Sequence, residues 1–288
     1  MGTWGTGLYQ DDDTCDIKEE YLNYLRIGKT NEEALQEVIS DNEEMIKDDE
    51  TGPLFWLALA DTQWKYGRLT NDIRDRALEV IYSGKDLERW KEDRKLFEKR
   101  KKVLEDLKQR LNTEQPTEKK VSKMKFERPN WKVGDVILYQ LLNEDLKKHK
   151  YYQKYVLLKV MGMEKYTIGY LDPEKYYHEN ELVGIFNWIG DEKVNLKKID
   201  KLKIIMFKDI IDPYGDEIKQ LVGGYHLNIR ELKKVNLKII KNDMNNLYTK
   251  ELKKEFPRHA LYNIYNFDIA VVQALEREEK RGNLVKDL

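Results

Sequence analysis

TEQPTEKKVSKMKF, residues 113–126, decides how this chain is read. The stretch is polar, contains Pro116 and spreads its lysines over no single face, so it predicts a linker with no buried side. Before it, apolar residues recur every three or four positions; after it, they come in short runs. That change of period predicts an α+β chain of two domains. An all-α helical N-terminal domain occupies 1–112, and a small bent β-sheet or barrel with C-terminal helices occupies 127–288. The 288 residues suffice for two cores of ordinary size.

In the first part, caps and stops delimit the helices. DIKEEYLNYLRIG (16–28) sets Ile17, Tyr21, Tyr24 and Leu25 on one face and ends at Gly28. Thr30 and Glu33 give TNEEALQEVISDNEEMI (30–46) a capping-box start over a stripe of Ala34, Leu35, Val38 and Ile39. TGPLFWLALADTQWKYG (51–67), with Pro53 in its first turn and Gly67 at its end, is the most apolar and predicts the domain centre. Thr70 caps TNDIRDRALEVIYSG (70–84). A long charged helix follows from about Asp86 to Leu111, with Trp90, Phe97, Val103, Leu104, Leu107 and Leu111 inward.

Beyond the linker, five runs predict strands: 131–142, 151–171, 182–191, 201–211 and 233–243. Residues 250–256 and 266–282 return to helical period, the first stopping before Pro257 and the second between Asn266 and Gly282. No repeat of 20–50 residues is present.

Composition narrows the class. Charged residues make up 36% of the chain, and one cysteine, Cys15, rules out an internal disulfide framework or a four-cysteine zinc cluster. With no membrane-spanning run and no secretory pattern at the start, the cytoplasm is the expected compartment. Many Lys, Ile, Asn and Tyr residues suit an AT-rich bacterial or phage genome. The net charge of −1 conceals a division: residues 1–61 hold 16 acids and 4 bases, hence −12, and the remainder carries +11. The acidic front predicts either a cationic partner or attraction to the basic remainder of the same chain.

The opening MGTWGTGLYQDDDTCD (1–16) admits several readings. A phosphate loop needs a preceding strand and a positive field, and Asp11, Asp12 and Asp13 supply the opposite. Counted from Asp11, an EF-hand would need Gly at Asp16 and Glu at Leu22. Met1-Gly2 with Thr6 fits a myristoylation pattern, but one acyl chain beside acidic residues anchors poorly. The remaining reading is a lid and a cap. Gly2, Gly5 and Gly7 let the segment bend, Trp4, Leu8 and Tyr9 plug a surface, and the aspartates sit at a helix start.

The opening stretch, together with GPLFWLALADTQWKYGRL (52–69), resembles an uncharacterised bacterial family that begins Met-Gly-x-Trp-Gly-x-Gly before an acidic run. WKVGDVILY (131–139) and GIFNWIGDE (184–192) resemble β-rich immunity proteins of bacterial polymorphic toxin systems. The resemblance implies a place in conflict between bacteria, or between bacteria and phage. It carries no catalytic residue.

Chemistry is sparse. His149, His178, His226 and His259 show no metal-ligand spacing, Cys15 has no partner signature, and nucleophile-elbow, Walker and kinase motifs are absent. No catalytic residue, metal site or cofactor is expected. The expected function is non-catalytic binding of a cationic protein partner, in immunity or phage defence. Its expected contacts are Asp11, Asp12, Asp13, Asp16, Glu43, Glu44, Asp48, Asp49 and Glu50, because complementary charge speeds encounter and excludes wrong partners. Two alternatives stand: an enzyme with an unrecognised site, or a nucleic-acid-binding module. The latter would stack bases on Tyr151, Tyr152, Tyr155, Tyr176 and Tyr177 among the lysines of the second half. No membrane partner is expected.

Overall fold

Thr30 and Glu33 form the reciprocal capping box that their spacing predicts, and Pro53 stands in the first turn of the central helix. A computed structural model describes residues 2–245, 247–257 and 260–286; His259 lies outside them. The chain divides into two compact units, Met1–Lys125 and Phe126–Leu288.

The first unit contains α1 (Asp12–Arg26), α2 (Asn31–Asp41), α3 (Glu43–Lys47), α4 (Gly52–Lys65), α5 (Asn71–Ser83) and α6 (Arg94–Leu111). Helix α4 is the centre, with Leu54, Phe55 and every residue from Leu57 to Ala60 buried. Three boundaries differ from the sequence reading. Helix α1 begins at Asp12 because Asp11 accepts Asp13 N and caps it. The second helix breaks at Asn42, whose amide turns to Val38 O and to the Glu20 carboxylate. The long charged helix begins at Arg94: Asp93 caps it through Lys95 N and Leu96 N, and Lys85–Trp90 forms a separate 3-10 turn.

Residues 113–125 have no regular secondary structure, yet they lie against the helices. Gln115 Oε1 accepts Leu69 N at 2.7 Å, Lys119 N donates to Tyr66 O at 3.0 Å, and Met124 N donates to Arg26 O at 2.9 Å. Gly67 has φ +67°, and a Cβ there would fall 2.3 Å from Pro116 O, so this crossing requires glycine.

The second unit is α+β, and its sheet is open. It has β1 (Asp135–Gln140), β2 (Tyr155–Thr167), β3 (Tyr177–Gly190), β4 (Ile204–Ile205), β5 (Lys208–Ile211), β6 (Glu217–Gln220), β7 (Gly223–Tyr225), α7 (Ile229–Leu232), β8 (Leu237–Asn242), α8 (Lys250–Glu255), β9 (Leu261–Tyr262) and α9 (Phe267–Lys280). The order is β8-β1-β2-β3-β7-β9, with β4 also on β3 and β5–β6 a separate hairpin. Strands β8 and β9 are edges, so the strands do not close into a barrel. The β2–β3 ribbon is kept in antiparallel register from Tyr155↔Gly190 to Thr167↔Tyr177, with two bulges that bend it. Ile137, Leu158, Ile185 and Phe267 share one core, while Leu138, Leu157, Phe186 and Trp188 fill the other face. Burial on both faces explains why these strands read as continuous apolar runs.

Candidate functional site

The acidic residues of the first unit lie in two places. In the first, the opening segment is held down from several sides. Buried Arg100 pairs with buried Asp86 and donates Nη1 to Thr6 O at 3.1 Å and Gly7 O at 3.3 Å. Arg89 reaches Thr3 Oγ1 at 2.7 Å and Asp11 Oδ2 at 3.2 Å. Tyr9 donates its hydroxyl to buried Asp61 at 2.8 Å, and Lys65 and Arg110 close on the same carboxylate. Leu8 is buried and Tyr9 half-buried, whereas Trp4 is 59% exposed and does not plug the surface. The Trp4 amide, bonded to Gln10 O at 3.0 Å, fixes the backbone while the indole stays outside.

This holding uses part of the acidic run. Asp11 is buried as a cap, Asp12 accepts Gly2 N at 2.9 Å, and Asp13 is half-buried, its carboxyl pushed up by burial and then by Asp11. Asp16 is exposed on α1. Cys15, half-buried, directs its thiol to Tyr9 O at 3.5 Å, and burial pushes the thiol up.

The second place is the ledge from α3 into α4, where Glu43, Glu44, Asp48, Asp49 and Glu50 are all exposed. Lys47 lies 3.3 Å from Glu43 and 3.5 Å from Glu44, and Lys85 lies 3.3 Å from Asp49. Asp48 folds into the turn, accepting Thr51 N at 2.8 Å and Glu50 N at 2.9 Å, and these donors hold its carboxyl low. A hollow of about 280 Å³ lies beside the ledge, walled by Pro53, Val80 and Trp56, with Arg76 stacked 4.6 Å over the indole. A second hollow is lined by Asp49, Glu50, Lys85, Glu88 and Arg89, and Arg89 also grips Asp11. One arginine therefore joins the two acidic places.

The tyrosines of the second unit are distributed differently from the stacking reading. Tyr151 is 4% exposed, so no base can reach its face. Tyr155 is half-buried and accepts Asn236 Nδ2 at 3.0 Å, and Tyr152 packs against the core. Tyr176 and Tyr177 do gather with Phe126, His178 and Arg128. Arg128 lies 4.3 Å and Lys165 4.1 Å from the Tyr177 ring centre, so the protein's own cations already occupy that π surface. The most exposed aromatics are elsewhere, at Tyr214, Tyr265 and Tyr82.

Sequence reasoning missed the buried ionisable groups, because Asp and Glu are too common for one to stand out. Asp268 accepts Tyr139 OH at 2.7 Å, Leu142 N at 3.0 Å and Asn143 N at 2.9 Å, and burial pushes its carboxyl up. Glu181, fully buried, accepts Trp131 N at 3.3 Å and faces His226 Nδ1 at 3.2 Å. Lys159, also buried, meets Asp243 at 2.9 Å. Each group has its partners, and together they tie loops to the sheet. Among the described residues no group of three or more His, Cys, Asp or Glu could hold a metal ion, and no helix is long and apolar enough to cross a membrane. No protein-family profile, curated protein or solved structure matches this chain.

Proposed function

We propose that this protein acts by binding, without catalysis, a cationic protein partner through the acidic face of its helical unit. The observation that carries the reading is the α3–α4 ledge, with five exposed carboxylates beside two open hollows. Nearby Lys47, Lys85 and Arg89 neutralise part of this charge, yet Glu43, Glu44, Asp48, Asp49 and Glu50 outnumber them. Such a surface suits fast electrostatic encounter. Asp16 adds an exposed carboxylate on α1, and Asp11 is tied to the second hollow through Arg89. A role in bacterial immunity or phage defence, in the cytoplasm, rests on the resemblance of residues 131–139 and 184–192 to β-rich immunity proteins and stands as part of this proposal.

The test is stoichiometry against a partner retained by the wild-type chain and released by salt. Inhibition that saturates near one copy per partner, with the partner's mass unchanged, supports binding. Cleavage or modification of the partner at substoichiometric amounts overturns it in favour of an enzyme.

A further inference from the structure

Strand β8 ends the sheet, and its hydrogen-bond pattern tells which backbone groups face outward. Gln140 N donates to Asn236 O at 2.9 Å at one end, and Asp243 N donates to Gly134 O at 2.8 Å at the other. Antiparallel residues alternate between bonded and non-bonded pairs. Leu237 stands opposite Tyr139 and Ile239 opposite Ile137, so both turn their N–H and C=O groups away from β1. Among the described residues no second strand pairs with β8. Leu237 is half-buried, and Ile239 is 48% exposed.

Lysines crowd the same edge. Residues 191–203 and 233–242 hold nine lysines against three acids. The 3-10 turn Leu196–Lys201 lies on the face of β8 that carries Ile240: Ile199, Leu202 and Ile240 pack in one cluster, and Lys241 meets Asp200 at 2.5 Å. Lys238, opposite Leu138 of that cluster, stands on the same face. Asp200 is taken up by Lys241 and Asp191 by Lys154. Lys197, Lys198, Lys201 and Lys238 are exposed and pair with no carboxylate among the described residues.

We infer that the outer edge of β8 takes up an extended acidic peptide as one more strand of the sheet. The open N–H and C=O groups select a polypeptide, because an extended backbone supplies donors and acceptors at matching intervals. The lysines select negative charge. A second copy of β8 does not fit, since lysines on an edge oppose pairing with a like edge. A nucleic acid would use the lysines and leave the edge amides bare. Successive side chains of the added strand point to opposite faces, so the peptide alternates acids, over the lysines, with apolar residues, beside Leu237 and Ile239. The inference uses no residue of the acidic ledge and goes beyond the binding proposed there.

The experiment is amide hydrogen exchange, read by NMR on the full chain, alone and with an end-capped hexapeptide that alternates glutamate and valine. The Leu237 and Ile239 amides should exchange about tenfold more slowly when about nine in ten chains hold the peptide. The same peptide with its amides N-methylated keeps the charge, loses the donors and should give no protection. Ile239→Pro removes an outward donor and no bond to β1, and should weaken the peptide. Reversing Lys197, Lys201 and Lys238 to glutamate should weaken it by about tenfold or more. In both variants the Gln140 and Asp243 amides report whether β8 is still paired. Unprotected Leu237 and Ile239 amides at saturating peptide, equal binding of the N-methylated peptide, or equal binding of an oligothymidylate of the same charge overturns the inference. These three outcomes are read on the wild-type chain, so they decide it even if the variants fail to fold.

Discussion

Arg100 and Asp86 pair inside the helical unit at 2.6 Å for both Nε–Oδ2 and Nη2–Oδ1, 2% and 0% exposed, and the remaining Arg100 nitrogen holds the carbonyls of Thr6 and Gly7. One guanidinium thus joins α6, the 3-10 turn before it and the glycine-rich opening. Removing one partner of such a pair leaves a buried charge uncompensated, which costs about 3–5 kcal/mol. Arg100→Leu should therefore lower the denaturation midpoint sharply and free the opening segment to proteolysis. Adding Asp86→Leu should recover much of the loss, because the stranded carboxylate is then removed. If the double variant is no more stable than Arg100→Leu, the cost lies in the lost carbonyl contacts and not in the charge.

The opening segment itself offers a sharper contrast. Trp4 is exposed, so Trp4→Ala should change stability by less than about 0.5 kcal/mol. Leu8 is buried, and Leu8→Ala should cost about 2–5 kcal/mol. Deleting residues 2–9 should cost a few kcal/mol or more, since it removes the Tyr9 bond to Asp61 and the acceptors of Arg100 as well. Equal melting curves for the full and the shortened chain would make the segment a free arm.

A third prediction concerns pH. His226 is raised above its ordinary 6.5, mainly by its hydrogen bond to Glu181, against an opposing burial effect and with Glu127 and Glu231 adding. A group whose folded value is raised stabilises the fold fully below its unfolded value and loses that contribution as pH rises through the folded one. His226→Gln should therefore be less stable than wild type at about pH 5.5, and the gap should narrow as pH climbs past about 6.5. A gap that stays constant with pH would mean the imidazole acts there by packing alone.

The helical half was legible where its residues act on near neighbours. The Thr30–Glu33 box, the Pro53 start and the Gly28 and Gly84 stops are local devices, and local devices are written in spacing. The misreadings at Asn42 and at 86–93 have a different cause. Asn42 breaks the helix because Glu20, from another helix, accepts its amide, and no window around residue 42 contains that fact. The same holds for β7 and β9, two or three residues long, whose pairing is set by strands far away in the sequence. Of the candidate contacts, exposure on the α3–α4 ledge could be read from a dense run of charge interrupted only by Met45 and Ile46. The burial of Asp11 could not, since Thr3 and Arg89 approach it from 8 and 78 residues away.

The last prediction tests the ledge directly. Glu43, Glu44 and Glu50 are exposed, whereas Asp48 holds the Thr51 turn and Asp11 caps α1, so the first three can be reversed with little cost to the fold. Changing these three to lysine should leave the melting temperature nearly unchanged, at under about 0.5 kcal/mol each. Loss of the Lys47 pairs adds little, because solvent-exposed ion pairs contribute about 0–1 kcal/mol. The on-rate with a cationic partner should fall by about tenfold or more, and the wild-type on-rate should itself decline with salt as the screening length shortens to about 8 Å at 0.15 M. The off-rate should change less, since steering acts before contact. The measurement is association kinetics across a salt series for both chains. An on-rate indifferent to salt and to reversal, joined to a large loss of stability, would make the ledge a purely structural surface and remove the main support for the proposed function.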